Sequence, residues 1–344
     1  MADPQAETFV DRCILLLLGR DPDPVTRAGA VAAYGAGGEA AVVRHLAARD
    51  EFVVRARREA MQPRADAWPP GHFHSPLPDP ALVQAEYERR VVRARRTLPG
   101  IDLREDDQRR LVAALAPFLA DMPWRDDPVA GLRYYARNPY FPGGDALLLH
   151  GLLRLQPPRR VVEVGSGFSS AAMLDTDQLF LGGRTRFDFV EPHPDRLLAL
   201  VGTPDPERIH IHRRPVQDVP IELFTTLEAG DILFVDSSHV AKFGSDLLHL
   251  LGEVVPRLAA GVRVHFHDVF WPFEYPKAWY GLGRAWNEVY ALHHFLLCND
   301  SFRIVCFADW LREHERPLLD RHLPLLPHYD AGSLWLVRHR GAGA

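Results

Sequence analysis

Five groups of polar residues stand where successive apolar runs end: Gly165-Ser166-Gly167, Glu191, Gln217-Asp218, Asp236-Ser237-Ser238-His239 and His267-Asp268. Each suits a distinct task. A Gly-x-Gly turn between a strand and a helix lets a ligand lie against bare backbone at the helix N-terminus. A carboxylate such as Glu191 can accept hydrogen bonds from a pair of ribose hydroxyls. Gln217 or Asp218 can hold an exocyclic amino group. His239, of a type with an ordinary pKa near ~6.5, can take a proton at neutral pH. Asp236 and Asp268 can orient groups or hold a divalent cation such as Mg²⁺, with His267 beside them. Taken singly, each has a structural reading: a tight turn, a helix cap, an exposed loop. Their order along the chain gives them force together.

That order requires a sheet. Short apolar runs at 161–164, 187–191, 209–212, 232–236, 262–267, 303–307 and 333–338 read as strands. Helical patterns fit between them, clearest at 146–155, 245–258 and 284–297. Asp145 reads as the cap of the first. Alternation of this kind predicts an α/β fold with a mostly parallel, seven-stranded Rossmann-like sheet and helices on both faces. In such a sheet the ligand lies outside the carboxyl ends of the strands, where all five polar groups fall. GSGFSS places Ser170 where a dinucleotide fingerprint has its third glycine, and Glu163 puts an acid inside the strand. Both features favour S-adenosylmethionine over NAD. The cofactor side then comprises Glu163, Gly165, Ser166, Gly167, Phe168, Ser169, Glu191, Gln217, Asp218, Asp236 and Ser237. His239 is the candidate base, with Asp236, His267 and Asp268 around it. Asp236 and Asp268 are the candidate metal ligands.

Other segments frame this site. Tyr134-Tyr135 and Asn138-Pro139-Tyr140-Phe141 are placed to roof the cofactor pocket. The run from Phe270 to Tyr280 offers aromatic faces to a sugar or ring-bearing acceptor. His265 alternates with His267 and is expected on the same face, deeper in the sheet.

Upstream, Phe9, Cys13, Leu16 and Leu17 recur at helical spacing, and Gly19 to Pro24 stops that helix. Two more helices read at 25–34 and 39–48, separated by Gly35 to Gly38. The division expected is a small all-helical unit over 1–60, a Pro-rich linker and basic helix over 61–104, and the sheet domain over 105–344. The arginines of 89–96 read as a solvated face.

The 344 residues carry a net charge of -5, which gives no reason to expect nucleic acid. No apolar run approaches the ~20 residues of a membrane span. The N-terminus lacks a signal-peptide pattern, so a cytoplasmic location is expected. Cys13, Cys298 and Cys306 are too scattered for a disulfide framework or a zinc site. A homo-oligomer is an open expectation.

The motifs RYYARNPYF, RRVVEVGSGFSS, FVEPHPDRL, DILFVDSSHV, VHFHDVFWPFEYPKAWY, GRAWNEVYAL and GSLWLVR, with GHFHSPLPD before them, occur in one order. From about Gly71 to Arg338 the chain resembles a bacterial class I S-adenosylmethionine-dependent methyltransferase family. It is similar to the macrocin and cephalosporin-type O-methyltransferases, of the Methyltransferase 24 type. The resemblance implies S-adenosylmethionine as donor and puts Glu163, Gly165, Gly167, Glu191 and Asp236 on the cofactor side. In macrocin-type relatives an Asp and a His three residues later act as metal ligand and base, a spacing kept by Asp236 and His239. Those relatives carry two acids after the fifth strand, where this chain has His267-Asp268. FVDRCILLLLGRDPDP and VVRHLAARDEF resemble a DUF4214-like helical module of undefined activity. The expected function is O-methylation of a sugar, glycan or glycosylated small molecule. The alternatives are an S-adenosylmethionine-binding scaffold without turnover and an NAD-dependent oxidoreductase.

Overall fold

The computed structural model describes residues 4–18, 24–49, 68–202, 204–284, 286–297 and 299–339. The chain divides into two compact units, Met1–Leu77 and Pro78–Ala344.

In the first unit, helix α1 (Pro4–Leu18) and helix α2 (Pro24–Ala47) pack on each other. Val10, Cys13 and Ile14 of α1 recur at three- and four-residue spacing, so they share one face. They bury against Ala30, Val42 and Leu46 of α2. Arg27 closes the edge with an ion pair to Asp11 at 2.6 Å. The glycines expected to separate a pair of helices do so as a kink: Gly37 and Gly38 leave helical geometry within α2. The expected stop at 19–23 lies outside the described residues.

The second unit begins with helix α3 (Pro80–Arg90), capped by the Asp79 carboxylate accepting from Ala81 N. Arg89, Arg90 and Arg95 are exposed as expected, but Arg93 and Arg96 are not part of a solvated face. Arg93 pairs with Asp309 at 2.7 Å, and Arg96 with Glu105 at 2.8 Å. Trp271 and Trp310 donate their indole N–H groups to the backbone oxygens of Arg95 and Arg96. These bonds tie residues 93–96 to the sheet domain, so the compact unit starts well before 105.

Helices α4 (Glu105–Leu119) and α5 (Gly143–Leu155) precede the sheet. Asp145 does not cap α5. It lies within the first turn, buried, and its carboxylate accepts from Gly332 N at 3.0 Å and from the Ser333 hydroxyl. Strands β1 (Arg160–Val164), β2 (Arg186–Val190), β3 (Ile209–His212), β4 (Ile232–Val235) and β5 (Arg263–Phe266) are parallel. Strand β7 (Leu334–Arg338) runs antiparallel between β5 and β6 (Phe302–Phe307). The order is β3-β2-β1-β4-β5-β7-β6. β4 and β5 are buried on both faces, which is why they read as continuous apolar runs without alternation.

The order reverses between β1 and β4. The connections leaving their carboxyl ends diverge and leave a crevice there. Helix α6 (Phe168–Phe180) leaves from β1, and α7 (Asp195–Val201) follows β2. Because β7 is antiparallel, its entry at Asp330–Ser333 reaches the same rim as the exits of the parallel strands. Helices α8 (Glu222–Thr225), α9 (Asp246–His249), α10 (Lys277–Gly281) and α11 (Glu288–Leu296) come later in the chain, with α12 (Ala308–His314) and α13 (Arg316–His322) between β6 and β7. The expected helix 245–258 is irregular: α9 passes through one wide turn at 250–254 and a tight one at 255–257, where Pro256 interrupts it.

Candidate active site

The crevice is a cleft of about 930 Å³, lined by the exits of β1, β2, β4 and β5, the loop 138–142, residues Pro276, Lys277, Trp279, Arg284 and Trp286, and the entry to β7. A smaller hollow of about 380 Å³ adjoins it and shares Gly165, Glu191, Asp236 and Ser237. Gln217, Lys242 and Asp246 line its far side.

The glycine turn is held from beneath. Gly165 has a φ of +80°, and a Cβ there would stand 1.7 Å from the Asp236 carbonyl oxygen. The β1 and β4 exits therefore touch backbone to backbone, a separation that glycine alone permits. Glu163 lies under the turn, fully buried. Its carboxyl engages the hydroxyls of Ser169, at 2.5 Å, and Ser170. Burial pushes its pKa up to about 8, with the serine hydroxyls opposing, so the acid is largely neutral at pH 7. Glu163 thus anchors the start of α6 and does not itself line the cleft. Glu191 accepts from Ser166 N at 3.1 Å and His193 N at 2.8 Å, fixing its carboxylate beside the turn.

Several buried polar atoms here lack partners: the hydroxyls of Ser166 and Ser237 and the amide oxygen of Gln217. Burying such groups without partners costs about 1–3 kcal/mol each, so they suit a polar ligand that completes them. Asp218 is exposed and lines neither hollow; the 3₁₀ turn Val216–Asp218 turns Gln217 inward in its place.

His239 sits at the centre, 5% exposed, with a left-handed φ of +58°. Its Nδ1 contacts the Glu288 carboxylate at 2.6 Å. Its Nε2 lies on the cleft side, 3.4 Å from Asp236 and 3.8 Å from Asp268. Burial alone would lower its pKa; the carboxylates of Asp236 and Glu288 outweigh that and hold it well above 6.5. Burial raises the pKa of Glu288, with His239 opposing. Burial raises that of Asp268 too, while His267 and His239 pull Asp236 below its ordinary range against burial. Trp286 packs on the His239 ring with centroids 4.3 Å apart.

Nothing in the sequence singles out Glu288. It stands 49 residues beyond His239, inside the motif GRAWNEVYAL, and the one signal is an acid opening an apolar helix. The backbone couples the two: Asn287 N and Glu288 N both donate to the His239 carbonyl oxygen.

His267 is buried with both ring nitrogens unpartnered, 3.5 Å from Asp268 and 3.9 Å from Asp145. His265 lies deeper on the same face, stacked on Phe234 at 3.8 Å and 6.0 Å from His267. Among the described residues, no group of three or more His, Cys, Asp or Glu side chains is arranged to hold a metal ion. Asp236 and Asp268 face one imidazole nitrogen, and the expectation of Mg²⁺ at these carboxylates finds no support in that geometry.

Residues 162–269, from within β1 to just past β5, match the family model described as a methyltransferase domain. An uncharacterised protein of Archaeoglobus fulgidus is 32% identical over 168 residues, covering 48% of this chain and 76% of that protein. Residues 162–269 are a methyltransferase domain. A solved structure of a putative protein-L-isoaspartate O-methyltransferase from Plasmodium falciparum, in complex with S-adenosyl-L-homocysteine, is 18% identical. It covers 55% of this chain and 83% of that one with a TM-score of 0.28, a likeness that carries no argument here. The matched residues of the methyltransferase include the glycine turn, Glu191, Asp236, His239 and Asp268. They exclude the aromatic segment 270–280 and Glu288. No helix among the described residues is long and apolar enough to cross a membrane.

Proposed function

We propose that this methyltransferase moves a methyl group from S-adenosylmethionine to a hydroxyl oxygen of a sugar, glycan or glycosylated small molecule. The observation that carries the reading is the Glu288–His239 pair, set with Nε2 on the cleft side beside the glycine turn. The donor, when bound, supplies an electrophilic methyl group on a sulfonium sulfur. The free hydroxyls of Ser166 and Ser237 and the Glu191 carboxylate fit its polar atoms, with Gly165 and Gly167 lining the cleft beside them. The unpartnered amide oxygen of Gln217 in the adjoining hollow would accept from an adenine amino group. The carboxylates of Asp236 and Asp268 favour the positive sulfonium.

His239 takes the acceptor's hydroxyl proton on Nε2 as the oxygen bonds to the methyl carbon and the sulfur–methyl bond breaks, leaving S-adenosylhomocysteine; Glu288 fixes the ring and offsets the positive charge the imidazole gains. The imidazole must first lose the proton that its carboxylate neighbours favour. Activity should therefore rise with pH through a value above the ordinary histidine range. Trp279 and Trp286 line the cleft on the acceptor's side.

The test is methyl transfer from labelled S-adenosylmethionine to a panel of sugars, with and without chelator. The reading expects turnover that survives chelation and falls about 10²–10⁴-fold in His239→Ala. Saturable S-adenosylhomocysteine binding with no turnover on any acceptor would favour a scaffold instead.

A further inference from the structure

Two of the four arginines lining the cleft are neutralised. Arg93 pairs with Asp309, and Arg312 lies 3.6 Å from Asp309 and 3.4 Å from Asp330. Arg284 differs. Its guanidinium carbon stands 4.2 Å from the ring centroid of Trp279 and 4.8 Å from that of Trp286. The two indoles meet nearly at right angles, 87°, and form a corner that holds the cation half-buried. Among the described residues no carboxylate lies within ion-pair distance of it; Asp268 feels its charge only weakly.

A guanidinium stacked on aromatic faces keeps its N–H edge free and planar, the geometry that grips a carboxylate or phosphate through two parallel hydrogen bonds. Lys277 stands on the same segment, and its one ion-pair partner among the described residues is the exposed Glu88 at 3.7 Å. The inner cleft has the opposite character, since Asp236, Asp268 and Glu288 surround His239. An acceptor's anionic group would be repelled there and held at the rim. A neutral hydroxyl would be admitted. Trp286 touches both Arg284 and His239, so one indole separates the cation from the base.

A second unpaired arginine, Arg196, lies over Tyr140 at 3.7 Å and beside Gly167. It serves the donor side, near the start of α6. Arg284 is left for the acceptor.

We propose that the acceptor is anionic, bearing a carboxylate or a phosphate beside the hydroxyl to be methylated, and that Arg284 binds that group. The inference rests on the methyl-transfer reading and names its substrate class. The experiment titrates glucuronate, glucose 1-phosphate and glucose into the full chain, with and without saturating S-adenosylhomocysteine, by calorimetry at low salt. At least one anion should bind roughly tenfold or more tighter than glucose, since bidentate charged bonds are about twice as strong as neutral ones. Whether glucuronate or glucose 1-phosphate gains more tells carboxylate from phosphate. R284Q should abolish the preference and R284K should keep part of it, with melting curves confirming that both variants fold. Three results overturn the proposal: neither anion binding more tightly than glucose, a preference that survives R284Q, or a loss in R284Q that falls on S-adenosylhomocysteine instead. A wild-type chain that takes up no S-adenosylhomocysteine while preferring the anions would defeat the methyl-transfer reading alone.

Discussion

Replacing Gly165 with alanine tests the floor of the site. The residue holds a φ of +80°, where a Cβ costs about 1–2 kcal/mol. The added carbon would also stand 1.7 Å from the Asp236 carbonyl oxygen, against a limit near 3.0 Å below which such contacts essentially never occur. Backbone must move, because that oxygen is not the end of a flexible side chain. The movement strains the Asp236 N to Val164 O bond, 2.9 Å, that joins the β1 and β4 exits. Strain of this kind adds about 1–3 kcal/mol, for a total near 3 kcal/mol or more. At about 2–4 °C per kcal/mol for a domain of this size, the melting temperature should fall by about 6–12 °C. The same shift displaces Ser166 and Glu191, so S-adenosylhomocysteine affinity should fall by about tenfold or more, each tenfold being 1.4 kcal/mol. Scanning fluorimetry and calorimetry read the two effects. Gly167→Ala is the control for stability: φ there is 172°, and its Cβ would meet only the Arg196 side chain, at 3.2 Å. A Gly165→Ala protein that melts with wild type and binds the ligand as tightly would refute the geometry of the turn.

Three further outcomes follow from the site. Glu163 has its folded pKa raised from 4.5 to about 8, so the native chain holds that proton more tightly than the unfolded chain. Its contribution to stability is full below pH 4.5 and is lost as pH rises through about 8; Glu163→Gln should flatten that decline in denaturant titrations, and an unchanged slope would sink the assignment. Glu288→Gln removes one of the two anions that raise the His239 pKa, so the acidic limb of the pH–rate profile should move to lower pH while the plateau falls; a limb that stays in place would free His239 of that partner. Arg93→Ala breaks the bonds to Asp309 and to the Trp271 carbonyl oxygen, leaving Asp309 buried with only Arg312, at 3.6 Å, against its charge. It should lower stability by about 1.5–3 kcal/mol, measured by urea unfolding.

The sheet was legible because its strands are short, apolar and bounded by glycines and prolines, and the parallel core carries no competing pattern. The polar groups at strand ends were legible for the same reason, since the topology places them on one rim. Asp145 shows the limit: an acid before an apolar helix reads as a cap, and only the antiparallel return of β7 reveals that it serves Gly332 and Ser333. Asp218 and Gln217 were indistinguishable in sequence, and the rotation of a single turn separates them. Glu288 was illegible because its partner is distant in the chain and meets it through a left-handed residue. Arg93 and Arg96 read as part of a solvated run because nothing local shows Asp309, which pairs with Arg93, or Glu315, which pairs with Arg96, arriving from beyond residue 300.

On the proposed reading, the rim at the exits of β1, β2 and β4 takes S-adenosylmethionine through Glu191 and the glycine turn. Calorimetric titration of wild type and Glu191→Ala with S-adenosylhomocysteine, and with NAD, tests it most directly. The account predicts saturable binding of S-adenosylhomocysteine, none of NAD, and a loss of about 10–100-fold in Glu191→Ala, as expected for bonds to a charged acceptor worth about 1.5–3 kcal/mol. Binding of NAD in preference, or S-adenosylhomocysteine affinity indifferent to Glu191, would contradict it.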